Sequence, residues 1–231
     1  MLPGIYDAFQ HWGKQTVWIY SDPHFGDKHL EAEIKSRPSD EEQIKMINSC
    51  VGKKDTLIIL GDIGDIECVR KLRAGRKVLI MGNHDSGATN YKRKKVCEMF
   101  DANKYTIQEA MADMAKRFLG WKVYAVHCEF GNKWAVYADN LLFDEIYEGT
   151  LIIGEKLILS HEPVDIPWLF NIHGHDHGGK KCKGHFNVCS DVISYKPINL
   201  NQFLKSGPAA NIQSIHRITI DKAIERKWSR K

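Results

Sequence analysis

Asn171 to Gly179 reads NIHGHDHGG and places His173, His175 and His177 within five positions. Alone, such a run fits a polar loop or a structural zinc site. Four more polar groups stand elsewhere in the chain: Asp22 and His24 in "DPH", Asp62 in "GDIGD", Asn83 and His84 in "GNHD", and His161 in "SHEP". Carboxylate, imidazole and amide oxygen together suit manganese, iron, zinc or nickel, whereas a purely magnesium site would use fewer histidines. There are more donors than one four-coordinate ion needs. Two ions sharing Asp62 would use them all.

The elements that must position these groups are legible as apolar runs that stop where the polar residues begin. "TVWIYS" (16–21), "TLIIL" (56–60) and "KVLIM" (77–81) read as strands, the last two as buried ones. Between them "SDEEQIKMINSCV" opens with a capping box, Ser39 with Glu42, and continues with Ile44, Ile47 and Val51 at helical spacing. "DIECVRKLRAG" reads as a second helix stopped by Gly75. Further on, "TIQEAMADMAKRFL" (106–119) has another capping box, and "WKVYAVHCEF" with "KWAVYA" forms a strand pair turning at Gly131-Asn132. "TLIIGEKLILSHEP" is a hairpin around Gly154-Glu155, and "WLFNIHGHDH" is a strand entering the histidine cluster. "HFNVCS" and "SIHRITI" are expected as later strands and "DKAIERKW" as a closing helix. The order is that of an α/β protein, in which ligands bind beyond the carboxyl ends of the strands.

The whole chain bounds the possibilities. Its 231 residues suit one domain with a sizeable core, and no apolar run is long enough to span a bilayer. The first fifteen residues lack the pattern of a secretory signal. Six dispersed cysteines without a CxxC pair read as reduced thiols, so the expected location is cytoplasmic, with no membrane partner. A net charge of +4 permits a phosphate-bearing partner without demanding one.

Taken in order, D-x-H, G-D, G-N-H-D, H and G-H-x-H resemble the calcineurin-like metallophosphoesterases, with the flavour of small bacterial and phage-type members. The resemblance implies an α/β/β/α sandwich of two mixed sheets flanked by helices, a single domain over 1–231 with an inserted helix plus β-hairpin at about 97–142. It implies two divalent transition-metal ions, manganese foremost. Asp22, His24 and His177 would hold one; Asn83, His161 and His175 the other; Asp62 would bridge them. His84 would act as acid beside the metals, with Asp65 orienting its ring. A hydroxide held between the ions would attack phosphorus in line, and such a pair, about 3.5–4 Å apart, would clamp the phosphoryl group. The implied activity is hydrolysis of phosphate esters, with phosphodiesters or nucleotides favoured.

Other readings are carried beside this one. A nucleic-acid binding module with structural metals is suggested by the basic runs "YKRKK" (91–95) and "GGKKCKGH" (178–185). A phosphoprotein phosphatase is disfavoured, because Ile66-Glu67 stand where such enzymes carry Arg-Gly. Asp27 replaces a histidine common after "HFG" and removes one expected substrate contact. His173 is expected to be satisfied by a hydrogen bond, His127, His185 and His216 to be structural, and His11 and His29 to lie at the surface. The matched positions already supply every ligand, so the insertion is expected to govern substrate fit or pairing of two chains as a homo-oligomer.

Overall fold

In a computed structural model the chain is described at residues 2–85, 91, 94–179, 182–207, 222 and 224–225. It divides into two compact units, Met1–Gly87 with Glu145–Lys231, and Ala88–Asp144. The expected strand at 214–220 and most of the expected helix at 221–228 lie outside the described residues. So do Lys92, Arg93, Lys180 and Lys181 of the basic runs.

The first unit holds two mixed sheets. One contains β1 (Val17–Tyr20), β2 (Thr56–Ile59), β3 (Arg76–Ile80), β7 (Glu145–Tyr147) and β12 (Ile198–Asn199) in the order β12-β1-β2-β3-β7. All its pairs are parallel except β1 with β12. The other contains β8 (Leu151–Gly154), β9 (Leu157–Leu159), β10 (Phe170–His173) and β11 (His185–Asn187) in the order β11-β10-β9-β8, where only β8 runs antiparallel to its neighbour. Alternate residues of both sheets share one core: Val17, Ile19, Ile58, Leu60, Val78 and Ile80 meet Leu157, Leu159, Phe170 and Ile172. The period of two sends Leu57, Ile59 and Leu79 to the opposite face, where they are also buried. This is why the central strands read as continuous apolar runs.

Helices flank the sandwich. The α2 helix (Asp40–Cys50) begins with the expected capping box, Ser39 and Glu42 each satisfying the other's backbone N–H. Gln43 on it accepts the Tyr20 hydroxyl of β1 at 2.6 Å. The α1 helix (Lys28–Glu33), not foreseen, starts where the Asp27 carboxylate accepts the Leu30 N–H at 3.0 Å. Asp27 thus serves as a helix cap. The expected helix after "GDIGD" is reduced to α3 (Glu67–Arg70). Near the C-terminal end, α5 (Leu200–Ser206) buries Leu200 and Phe203, and Gly207 at φ 85° stops it in a left-handed cap.

The second unit contains α4 (Ile107–Arg117), with its own Thr106–Glu109 capping box, and the hairpin β5 (Lys122–Cys128) with β6 (Lys133–Asp139). To these it adds a third strand, β4 (Lys95–Asp101), antiparallel to β6. Ala110 and Met114 of α4 pack on Val136 and Ala138 as a separate small core. The inserted element is therefore wider than the expected 97–142.

Candidate metal centre

Each polar group follows a strand end of the first unit. Asp22 and His24 follow β1, and Asp62 follows β2. Asn83 and His84 sit in a 3-10 turn after β3, His161 follows β9, and His175 and His177 follow β10. Four of these residues occupy the left-handed backbone region: Asp22 at φ 54°, His24 at 42°, Asp62 at 53° and His175 at 65°. That conformation is uncommon for residues with a Cβ and persists only where the surroundings impose it. Backbone bonds lock the loops together, Asp22 N–H to Gly61 O at 3.2 Å and His24 N–H to Asp62 O at 3.0 Å. At Gly174 a Cβ would come within 1.9 Å of Ser21 Oγ and 2.3 Å of Asp22 Oδ2, so only glycine lets the histidine loop approach β1. Gly82 is held in the same way, 2.2 Å from Asp62 Oδ1.

These loops bring the side chains into two adjoining groups, Asp22 with His24 and His177, and Asp62 with His161 and His175. In the second, His161 Nε2 is 2.9 Å from Asn83 Oδ1, 3.1 Å from His175 Nδ1 and 3.4 Å from Asp62 Oδ2. Asp62 Oδ2 is also 3.6 Å from His24 Nε2, so this carboxylate lies between the groups. His84 is largely exposed, with Nε2 3.9 Å from Asp62 Oδ2.

Burial and charge suit these residues to cations. Asp22 is fully buried, and its Oδ2 accepts the His175 N–H at 2.9 Å, while Oδ1 has no hydrogen-bond partner. Facing that oxygen are His24 Nε2 at 4.0 Å and His177 Nε2 at 3.9 Å. A buried carboxylate oxygen without a donor is costly, and a cation among these nitrogens satisfies it. Burial alone would lower the His161 ring, but its hydrogen bond to Asp62 and the Asp22 charge raise it to about 9. His24 goes the other way, lowered because burial outweighs its two carboxylate neighbours. Burial would raise Asp62, yet its histidine partners hold it below the usual carboxylate value. Donor set, burial and the orphaned oxygen all fit bound divalent metal ions.

Several residues that organise the site were not singled out in the sequence. The buried Asp85 carboxylate accepts the N–H groups of Asp62 (2.8 Å), Ile63 (3.1 Å) and Gly82 (2.8 Å), tying the β2 and β3 loops together. Asp191 accepts from His177 Nδ1 at 2.6 Å and from the buried Arg37. Asp85 could have been suspected as the fourth residue of "GNHD"; nothing local marks Arg37 or Asp191. The expected pairing of Asp65 with His84 is not among the hydrogen bonds of the described residues. Asp65 instead accepts the Glu67 N–H at 3.0 Å, an Asx-type bond at the start of α3. His173 has the expected satisfied ring, with Nδ1 2.8 Å from Gly174 O. His29 is exposed as expected, whereas His11 is tied to Glu145 at 2.8 Å.

Comparison with known proteins is consistent with this geometry. Residues 15–189 match the family model described as calcineurin-like phosphoesterase. Gene 66 protein of Mycobacterium phage L5 is 43% identical over 83 residues, covering 30% of this chain and 40% of the phage protein. The match thus spans less than half of that relative. The crystal structure of a protein of unknown function from Aquifex aeolicus superposes with a TM-score of 0.52 at 21% identity, covering 83% of this chain and 98% of the other. At that identity the likeness concerns the fold.

Proposed function

The chain belongs to the calcineurin-like phosphoesterases, metal-dependent hydrolases of phosphate esters, and from that premise we propose that it hydrolyses phosphodiesters or nucleotides with two divalent ions. The observation that carries this reading is the pair of adjoining ligand groups with Asp62 between them and Asp22 Oδ1 lacking a partner. Asp22, His24 and His177 would hold one ion and Asn83, His161 and His175 the other, with Asp62 available to both. The rich imidazole content favours manganese, iron, zinc or nickel, with manganese the first choice. Bound ions supply positive charge for the phosphoryl oxygens and hydroxide at neutral pH.

The chain's own residues do the rest. The Asp85 and Gly174 contacts fix the ligand loops before substrate arrives, so no reorganisation is needed as charge develops. His84, exposed beside Asp62, would give a proton to the leaving oxygen. Ile66-Glu67 stand where protein phosphatases of this family carry Arg-Gly, which favours a substrate other than a phosphoprotein. All six cysteines are free, in keeping with a reducing, cytoplasmic setting. No helix among the described residues is long and apolar enough to cross a membrane.

The test is an assay of chelator-stripped protein reloaded with manganese, using aryl phosphodiesters and monoesters. Turnover of diesters above monoesters is expected. Absence of turnover with every transition metal, despite bound ions, would overturn the enzyme reading and favour a nucleic-acid binding module whose metals are structural.

A further inference from the structure

Behind His177 lies a buried charge network that the ligand set alone does not explain. Arg37, its side chain only 1% exposed, donates from Nη1 to both Asp191 oxygens at 2.9 Å. From Nη2 it donates to the backbone oxygens of Asp22, at 3.3 Å, and of Pro23. Asp191, 8% exposed, accepts from His177 Nδ1 at 2.6 Å and from the Tyr195 hydroxyl. Ser190 Oγ adds a bond to Asp22 O at 2.7 Å. One guanidinium thus joins the β1 loop that carries Asp22 and His24 to the carboxylate that grips His177.

Every tie in this network runs to one ligand group. The other group has contacts of its own, His161 Nδ1 on Leu60 O at 2.8 Å and Asp62 Oδ1 on the His84 N–H at 3.1 Å, and meets the first where Asp22 Oδ2 accepts the His175 N–H at 2.9 Å. With Nδ1–H given to Asp191, the His177 ring keeps its Nε2 lone pair toward Asp22 Oδ1. A carboxylate behind a ligating imidazole fixes its tautomer and raises its basicity. Arg37 compensates the charge of that carboxylate, which burial would otherwise penalise.

We propose that Asp191, braced by Arg37 and Tyr195, is a positioning residue that sets the affinity of the Asp22–His24–His177 ion site and leaves the second ion site largely untouched. The proposal rests on the two-ion reading above. A rival arrangement uses His177, Cys189 and Asp191 as ligands of a separate cation. It must displace the 2.6 Å bond from His177 Nδ1 and both contacts from Arg37, with Cys189 Sγ 3.4 Å from that same nitrogen.

The experiment is titration of the metal-stripped full chain with Co²⁺, followed by calorimetry and visible absorption, for wild type, Asp191→Asn and Tyr195→Phe. Wild type is expected to take two ions. In D191N one binding step weakens about 10–100-fold while the other barely moves, with the thermal transition of the metal-free protein retained. Y195F weakens the same step more mildly, and it keeps the question decidable should D191N fail to fold. Equal weakening of both steps, or no change in a folded variant, overturns the positioning role while the two-ion reading stands. A wild-type protein that takes fewer than two ions overturns both. A thiolate-to-cobalt charge-transfer band in wild type overturns it in favour of the Cys189 arrangement.

Discussion

The His84 ring comes within 3.9 Å of the Asp62 carboxylate, but the two side chains are built differently, and substitution should separate their duties. Asp62 is buried between two ligand groups, whereas the His84 ring is exposed. His84→Ala is expected to keep both ions and lose about 10²–10⁴-fold in turnover of an ester with a poor leaving group. Asp62→Ala is expected to lose metal and turnover together. Metal analysis beside kinetics decides the matter: a fully active H84A on a poor leaving group would remove His84 from the chemistry. The candidate ligand positions could be picked out because each stands within a few residues of an apolar run, with a glycine beside several of them. Asp191 and Arg37 were not, because 154 positions separate them and each sits in an ordinary polar segment. Asp65 shows the opposite limit. The family resemblance implied a partner for His84, but in this structure Asp65 accepts the backbone amide two residues along.

At the scale of elements, Glu145 at the start of β7 gathers a large share of the first unit's edge. It accepts from His11 Nε2 (2.8 Å), Trp12 Nε1 (3.0 Å), Arg76 Nη1 (2.8 Å) and the Tyr147 hydroxyl (2.8 Å). These bonds tie the N-terminal 3-10 helix Asp7–Lys14 to β3 and β7. Burial would raise the Glu145 carboxyl, but the hydrogen bonds from Tyr147, Trp12 and His11 hold it below its ordinary 4.5. A depressed folded-state value stabilises the fold above the unfolded value, and the gain is lost as pH falls through the folded one. Glu145→Gln is therefore expected to cost about 2 kcal/mol near neutral pH, the scale of hydrogen bonds to a charged group. The gap should close in acid. Denaturant melts of both proteins from pH 7 down to pH 3 check this, and a constant gap would show that packing, not charge, is responsible. The same edge shows why some elements escaped the sequence. β7 has three residues and β12 two, too short for any period to register. In β4 apolar residues fall on both faces, Val96 and Phe100 toward α4, Cys97 and Met99 away from it, so the alternation cancels. The capping boxes of α2 and α4, by contrast, are local chemistry and were read directly.

For the whole molecule, the division into two units carries the remaining question of substrate choice. Every expected metal ligand belongs to Met1–Gly87 or Glu145–Lys231, and the sandwich core draws on those segments alone. Ala88–Asp144 has its own core of Ala110, Met114, Val136 and Ala138. On the sheet face away from α4, Tyr124 and Tyr137 stack at 5.1 Å, with Lys95 Nζ 4.3 Å from the Tyr137 ring, and Met99 and Val126 are about half exposed. A face of aromatic, cationic and exposed apolar groups suits contact with a base, a phosphate or another chain more than it suits bulk water. Replacing residues 88–144 by a short Gly-Ser connection should therefore leave two ions bound, since neither ligands nor sandwich core are removed. The ranking of monoester, diester and nucleotide substrates is expected to change. Metal loss from a well-folded replacement protein would instead put part of the insert among the ligands. An unchanged ranking in a protein that passes from dimer to monomer would assign the exposed sheet face to pairing of two chains, and direct the search for specificity back to the loops around His84.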